Sequence, residues 1–285
     1  MNRRRALVGG ALACLALVIL VRPVAAQSVN RQLIDDLNVQ LIYVALPLAL
    51  LVEVILVYAV VRFRNNDDPK PTADDPTLEI TWTAATAVIL VFVGFSTFVV
   101  LGNPYVSASP DVGDADGSNA SVPDDAALVD VLAYQWGWQM TYPDANVTTR
   151  SLLVVPNGTD VYMRLESSDV IHSLFIPRFG VKQDALPGQH TTALTRPTKN
   201  GTYNLYCTEF CGEGHSRMQG TVVVVDEDQY RDWLDANRGR SNVTEPPGPA
   251  NATESPASPP RGRVNFSVNY GRRRELQSTL VLSQG

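Results

Sequence analysis

The chain is poor in lysine, histidine and cysteine. Of its 285 residues, three are lysine, three are histidine and three are cysteine, while 29 acidic residues outnumber 23 basic ones. Proteins that bind nucleic acid normally carry a cluster of lysine and arginine, so this charge balance argues against such a role. An acid-rich, lysine-poor composition is instead typical of a chain that works in high salt.

Two of the cysteines and one of the histidines cluster in the segment CTEFCGEGHSRM, from Cys207 to Met218, and a second histidine, His172, lies upstream in DVIHSLF. Thiolate, imidazole and thioether ligands select soft metal ions, and a thioether favours copper over zinc. A mononuclear blue-copper site uses one cysteine, which would leave the second cysteine over. Two copper ions bridged by both sulfur atoms use every ligand.

Two other interpretations of the cysteines remain open at this point. Cys207 and Cys211 are compatible with a disulfide, since an exported domain lies in an oxidising compartment. A structural zinc site is the weaker alternative, because zinc sites seldom recruit methionine. Taken alone, His172 would more often be an ordinary hydrogen-bonded histidine than a ligand.

The pattern C-x-E-x-C-x-x-x-H-x-x-M with an upstream D-x-x-H-S resembles the binuclear copper site of subunit II of cytochrome c oxidase. This resemblance covers Gln27 to about Asn237, and with the acid-rich composition it indicates an archaeal, halophilic member. It implies that the cysteines bridge two copper ions, that each histidine binds one copper, and that a methionine and a glutamate carbonyl are weak ligands. It also implies that the glutamate carboxylate reaches a magnesium ion shared with subunit I. The implied metal ligands are His172, Cys207, Glu209, Cys211, His215 and Met218.

The first third of the chain has the pattern of a membrane anchor. Residues 1–26 resemble a signal peptide with Cys14 in its apolar core, although an uncleaved anchor remains an alternative. Residues 27–101 predict a transmembrane hairpin, with apolar stretches at about 41–63 and 82–101 that are long enough to cross a bilayer. Arginines in the connection predict a cytoplasmic loop, so both ends of the hairpin would face outside.

Residues 102–125 are rich in aspartate, glycine and serine and predict a linker. Residues 126–238 contain short β-branched and aromatic runs separated by turn signals, which predict an all-β sandwich or barrel closed by a short helix. The resemblance narrows this prediction to a cupredoxin-like Greek-key barrel. Residues 239–285 are of low complexity and predict a mostly disordered tail.

Outside the copper motif, two residues have candidate roles. Trp136 lies in QWGWQ, which resembles the aromatic patch where the family's subunit II takes the electron from its soluble donor; an aromatic core stripe is the alternative. Glu79 lies in LEITWT, which resembles the family's E-x-x-W-T at the mouth of a proton pathway. A favourable charge at the start of a helix explains Glu79 equally well.

Other polar residues are harder to assign. VKQDALPG, which contains Lys182 and Asp184, resembles the family's turn beside subunit I and its magnesium region. Glu53 is an intramembrane acid that predicts contact with a partner helix, and no reaction is assigned to it. His190 matches no ligand position and is interpreted as a surface or second-shell residue.

The resemblance therefore implies subunit II of a proton-translocating haem–copper oxidase in the plasma membrane, with its copper domain outside. It would take single electrons from cytochrome c or a blue-copper protein and pass them to haem in subunit I, which reduces oxygen to water. Subunit III is a further implied partner. A quinol oxidase subunit would lack the copper ligands, a copper carrier would need only one anchor, and a nitrous-oxide reductase would need a large second domain.

Overall fold

The structure, a computed structural model, describes residues 26–68, 71, 73–107 and 122–248. Most of the predicted signal peptide with Cys14, residues 108–121 of the predicted linker and the predicted tail beyond residue 248 lie outside the described residues. The described chain begins with two long helices and continues as a β-domain.

Helix α1 spans Val29–Phe63 and helix α2 spans Pro76–Leu101. Ser28 begins α1 by accepting a hydrogen bond from the Arg31 amide, and Asp75 begins α2 in the same way. Both helices are long and apolar enough to cross a membrane. At 1.5 Å per residue, α1 is about 50 Å long and exceeds the roughly 30 Å of hydrocarbon. Its first turns, before the apolar stretch at about residue 41, therefore extend beyond the bilayer.

Within residues 122–248, ten strands form two five-stranded sheets that pack face to face. The first sheet has the order β3-β2-β1-β5-β8 and the second has the order β4-β10-β9-β6-β7. The strands are β1 Ala127–Tyr134, β2 Gly137–Tyr142, β3 Val147–Arg150, β4 Leu152–Pro156, β5 Val161–Ser167, β6 His172–Ile176, β7 Val181–Ala185, β8 Thr191–Thr195, β9 Gly201–Cys207 and β10 Gln219–Val225.

The core of the domain lies between the sheets, because side chains on alternate strand positions point inwards. In β1 the buried positions alternate regularly with half-buried ones. Helix α3, Glu227–Asn237, covers one end of this core by packing Trp233 against the ring of Tyr142, with a centroid distance of 5.4 Å. The predicted order of a helix hairpin followed by an all-β domain is thereby confirmed.

The packed domain continues beyond the boundary predicted at residue 238. The Val243 amide donates to the Thr148 carbonyl at 2.8 Å, and the Thr148 amide donates to the Arg240 carbonyl at 3.0 Å. The side chain of Val243 is buried. This segment belongs to the domain because it supplies hydrogen-bond partners to the edge strand β3, which would otherwise be open.

Candidate metal centre

The candidate ligands come from two adjacent strands and the loop that follows one of them. His172 begins β6 and Cys207 ends β9, and these two strands pair antiparallel with Leu174 opposite Cys207. The loop from β9 to β10 carries Cys211, His215 and Met218, and the Cys207 amide closes it by donating to the Met218 carbonyl at 3.0 Å. The paired strands therefore provide a rigid base for the ligand loop.

The two sulfur atoms lie at the centre of the cluster, and each has one imidazole beside it. The Cys207 and Cys211 Sγ atoms are 3.9 Å apart. The Nδ1 atom of His172 is 3.8 Å from Cys207 Sγ, and the Nδ1 atom of His215 is 3.5 Å from Cys211 Sγ. His172, Cys207 and Cys211 together form a group of ligand atoms within 4.8 Å of one another.

A weak donor atom lies beside each sulfur atom. Met218 Sδ is 3.8 Å from Cys211 Sγ, and the carbonyl oxygen of Glu209 is 3.2 Å from Cys207 Sγ. The Glu209 side chain itself is exposed. The residues of the sequence motif thus converge, with a thiol, an imidazole and one weak donor on each side of the pair.

Both thiols are free and buried. A disulfide requires an S–S distance near 2.05 Å, so the 3.9 Å separation does not support that alternative. Burial, and then the neighbouring Cys207, raises the pKa of the Cys211 thiol to about 11. A metal ion must therefore displace a proton from this thiol when it binds. Soft sulfur and imidazole donors in a buried site fit copper, and a thioether among them favours copper over zinc.

Asp169 links the metal cluster to the turn between β1 and β2. One of its oxygen atoms lies 2.8 Å from His172 Nε2, and the other accepts a hydrogen bond of 2.6 Å from the Gln135 amide. Although partial burial opposes the shift, the hydrogen bonds from His172 and Gln135 lower the pKa of Asp169. A carboxylate on Nε2 holds the ring in one orientation, with Nδ1 directed towards Cys207 Sγ. Sequence reasoning gave Asp169 no role, although its place in D-x-x-H is a signal for one.

Trp136 packs directly against the ligand loop. Its Nε1 atom donates to the Cys211 carbonyl at 3.0 Å, and Gln135 donates to the same carbonyl at 2.7 Å. The indole ring lies on Gly214, where an added Cβ atom would come within 2.3 Å of it. Trp136 is 43% exposed, so it touches both the solvent and the metal cluster. Trp138, in contrast, is fully buried and belongs to the core.

Exposed apolar side chains surround this end of the domain. Within residues 122–248, the large apolar side chains that are exposed are Trp136, Val170, Ile171 and Phe210. All four lie in the loops that carry or adjoin the ligands. Sequence analysis singled out only Trp136 among them, because exposure depends on loop packing rather than on residue type.

Other residues singled out in the sequence lie away from the cluster. His190 is paired with Glu166 at 3.8 Å, and Lys182 is paired with Asp184 at 3.6 Å on strand β7. Glu79 lies in the first turn of α2, and Glu53 lies midway along α1, on its exposed surface. None of these residues belongs to the convergent group of ligand atoms, although strand β7 pairs with β6 beside His172.

A β-domain with a buried soft-metal cluster, joined to two helices of membrane-spanning length, defines the class of membrane-anchored copper proteins. Family models agree with this class in both parts of the chain. The cytochrome c oxidase subunit II periplasmic-domain model matches residues 145–226, and the transmembrane-domain model matches residues 19–100.

Individual relatives give the same assignment. Cytochrome c oxidase subunit 2 of Cereibacter sphaeroides is 30% identical over 232 residues, which cover 67% of this chain and 72% of that protein. The Synechocystis protein of the same name is 30% identical over 253 residues, or 75% of each chain. Heme-copper oxidase subunit 2 of Aeropyrum pernix is 43% identical over 111 residues, covering 38% of this chain and 47% of that protein.

The chain belongs to the cytochrome c oxidase subunit II family. It is therefore an oxidoreductase subunit and a membrane protein whose copper-binding domain lies on the periplasmic side, as predicted. Among solved structures, it is similar to the periplasmic domain of subunit II of cytochrome oxidase of Bradyrhizobium japonicum. That similarity has 27% identity over 41% of this chain and 96% of the other, and its TM-score of 0.38 is too low to establish a shared fold by itself.

Proposed function

We propose that this chain takes single electrons from a soluble donor through a binuclear copper centre and passes them to haem in subunit I, where oxygen is reduced to water. The observation that supports this proposal most strongly is the symmetry of the cluster. Two free thiols lie 3.9 Å apart, and each has one imidazole Nδ1 atom within 3.8 Å. A mononuclear blue-copper site would use both imidazoles but only one of the two thiols, and would leave the other thiol without a purpose.

The residues that would hold the metal are the six ligands predicted from the motif. Cys207 and Cys211 would lie between the two copper ions, and the Nδ1 atoms of His172 and His215 would each bind one of them. Met218 and the Glu209 carbonyl would be the weak outer ligands. When bound, the copper pair supplies a one-electron redox centre that shares each electron between two metals.

The protein around the ligands would limit their movement when the charge of the centre changes. His172 is fully buried and is held by Asp169, while Cys207 is fixed by backbone hydrogen bonds to Met218 and at the β6–β9 pair. Hydrogen bonds to a ligand side chain fix its orientation. The buried site also keeps water away from the two sulfur atoms, because Cys207 and Cys211 are both below 10% exposure.

Trp136 is the residue that would receive the electron from the donor. Its indole is partly exposed, and a hydrogen bond of 3.0 Å connects it to the backbone carbonyl of the ligand Cys211. The surrounding exposed Val170, Ile171 and Phe210 give a donor an apolar surface to dock on. Cytochrome c and a blue-copper protein are the two donor classes proposed.

Two further roles complete the proposal. The exposed carboxylate of Glu209 would bind a magnesium ion shared with subunit I, because its backbone carbonyl points the other way, towards Cys207. Glu79, at the cytoplasmic start of α2, would lie at the mouth of a proton pathway into subunit I. The hairpin would contact subunit I and subunit III through its exposed apolar side chains.

Copper analysis and an electron paramagnetic resonance spectrum of the full-length chain, loaded with copper in detergent, test this function. We expect two copper ions per chain and a seven-line hyperfine pattern, because one unpaired electron is shared equally by two copper nuclei. One copper with a four-line pattern would contradict the binuclear centre and would support a mononuclear copper carrier instead.

A further inference from the structure

The start of helix α1 is joined to the β-domain by a compact set of polar contacts, here called the junction and formed by Gln27–Asn30, Tyr105, Phe179, Asp160 and Leu194–Thr198. Ser28 Oγ donates to the Phe179 carbonyl at 2.7 Å. The Val29 amide donates to the Arg196 carbonyl at 3.0 Å. Helix α1 approaches so closely that a Cβ atom on Gly180 would come within 2.9 Å of Ile34 Cδ1.

Asn30 lies at the centre of the junction and binds two separate segments of the chain, strand β8 and the residues that follow helix α2. Its Nδ2 atom donates to the Leu194 carbonyl on β8 at 2.7 Å and also to the Tyr105 carbonyl after helix α2. Its Oδ1 atom accepts a hydrogen bond of 2.8 Å from Thr195 Oγ1. Asn30 is 2% exposed. A buried amide with all these partners is costly to replace, because each lost contact leaves a buried polar group unpaired.

The second membrane helix is tied to the same place. The Tyr105 hydroxyl donates to Asp160, and Arg196 binds both oxygen atoms of Asp160 at 2.8 and 2.7 Å. A bidentate arginine–carboxylate pair fixes the relative orientation of the two side chains as well as the distance between them. Both helices of the hairpin are therefore bonded to one edge of the β-domain.

The junction and the copper ligands lie at opposite ends of the same strands. Strand β9 runs from Gly201 to the ligand Cys207. Its first residue lies just after Thr198, and the Thr198 amide donates to the Gln27 carbonyl of the junction at 3.0 Å. Seven residues of strand separate the two ends by about 20 Å. Strand β6 likewise has a ligand at one end and the junction near the other, because it runs from His172 towards Phe179. A tilt at the junction would therefore move the copper end most.

We propose that Asn30 is a positioning residue that sets the orientation of the copper-binding domain over the membrane helices and thereby the distance for electron transfer to subunit I. This inference rests on the proposed function. Electron transfer between fixed centres slows exponentially with distance, so even a small displacement of the copper end lowers the rate of transfer to haem. Asn30 touches neither the donor nor the metal, so its effect is confined to the step after the copper centre has been reduced.

The test compares variants in the assembled oxidase complex by rapid reduction with the donor. Asn30→Ala removes every contact of the amide, and Thr195→Val removes one hydroxyl at nearly constant volume. For Asn30→Ala, we expect copper reduction by the donor and the copper resonance spectrum to be unchanged, while the copper-to-haem rate falls several-fold. Thr195→Val should show a smaller fall in the same step, and Thr195→Ser, which keeps the hydroxyl, should restore the rate.

Asn204→Ala is the matched control, because Asn204 is an exposed asparagine on β9 between the two ends of the domain. It should behave as wild type. A wild-type copper-to-haem rate in Asn30→Ala would overturn the proposal. Loss of copper from both Asn30→Ala and Thr195→Val would also overturn it, because the junction would then only support the fold. If Asn30→Ala does not assemble, an unchanged rate in Thr195→Val overturns it. If haem is reduced before copper in the wild-type complex, the proposed function itself fails.

Discussion

At the scale of single residues, the soft donor Met218 distinguishes this site from a zinc site. Its side chain is 1% exposed and its sulfur lies 3.8 Å from Cys211 Sγ. Met218→Leu conserves volume, so we expect the fold and both copper ions to be retained. The redox potential and the resonance spectrum should change, because the axial ligand tunes them. Redox titration and spectroscopy measure this, and an unchanged protein would remove Met218 from the ligand set.

Asp169 is expected to strengthen metal binding without being a ligand. Asp169→Ala removes the partner of His172 Nε2 and of the Gln135 amide. Loss of such a partner lowers metal affinity by about 10- to 100-fold. Competition with a copper chelator measures the affinity, and Asp169→Asn should recover part of it. Asp228→Ala, an exposed aspartate in α3, is the control. Equal affinities in all variants would show that strand packing alone orients His172.

Trp136 is expected to act in electron uptake and not in copper binding. Trp136→Phe keeps an aromatic ring on Gly214 but removes the hydrogen bond to the Cys211 carbonyl. We therefore expect slower reduction by the donor, measured by stopped-flow spectroscopy, with an unchanged copper spectrum. Loss of copper from this variant would instead assign Trp136 a structural role.

At the scale of elements, the contact between the helix hairpin and the β-domain depends on the charge of Asp160. Although burial opposes the shift, hydrogen bonds from Arg196 and Tyr105 lower the pKa of Asp160 below its ordinary value of 3.8. A carboxyl group whose pKa is lowered by folding stabilises the folded state above its unfolded pKa. This stabilisation is lost as the pH falls through the folded value. The junction should therefore weaken only in strong acid.

Asp160→Asn tests this pH dependence. Thermal melting of the full-length variant in detergent should give a lower Tm than wild type at neutral pH. The difference between the two proteins should stay constant down to about pH 4 and shrink below it, because wild type then loses its own charge. A difference that persists unchanged in strong acid would mean that the shape of the Asp160 side chain, and not its charge, holds the junction.

At the scale of the whole molecule, we predict that the chain carries chemistry on both sides of the membrane. The copper-binding domain is periplasmic, whereas Glu79 lies in the first turn of α2, at the other end of the hairpin. Glu79→Ala in the assembled oxidase should slow turnover and proton uptake while copper content stays normal. Thr77→Ala, in the same exposed turn, is the control. Normal proton uptake in Glu79→Ala would reduce Glu79 to a favourable charge at a helix start.

Much of this organisation could be predicted from short stretches of sequence. The apolar runs specify the two helices because bilayer thickness fixes the length that they need. Cys207, at the end of β9, and Cys211, His215 and Met218, in the loop that follows, belong to one short segment, so their proximity follows from chain connectivity. The extended start of α1 and the packing of Val243 on β3 were not predicted, because segments without an apolar period carry no local signal for contact with a distant strand.

The sequence by itself determined the kinds of donor atoms, the loop that carries most of them and the membrane hairpin, since all three depend on neighbours along the chain. The tertiary structure alone decided which imidazole lies beside which thiol, how Asp169 connects His172 to the Trp136 turn, and how Asn30 joins both helices to the β-domain. These contacts bridge residues far apart in sequence, such as the 164 positions between Asn30 and Leu194. Strand register and close packing determine these contacts, and no single segment of the sequence specifies either of them.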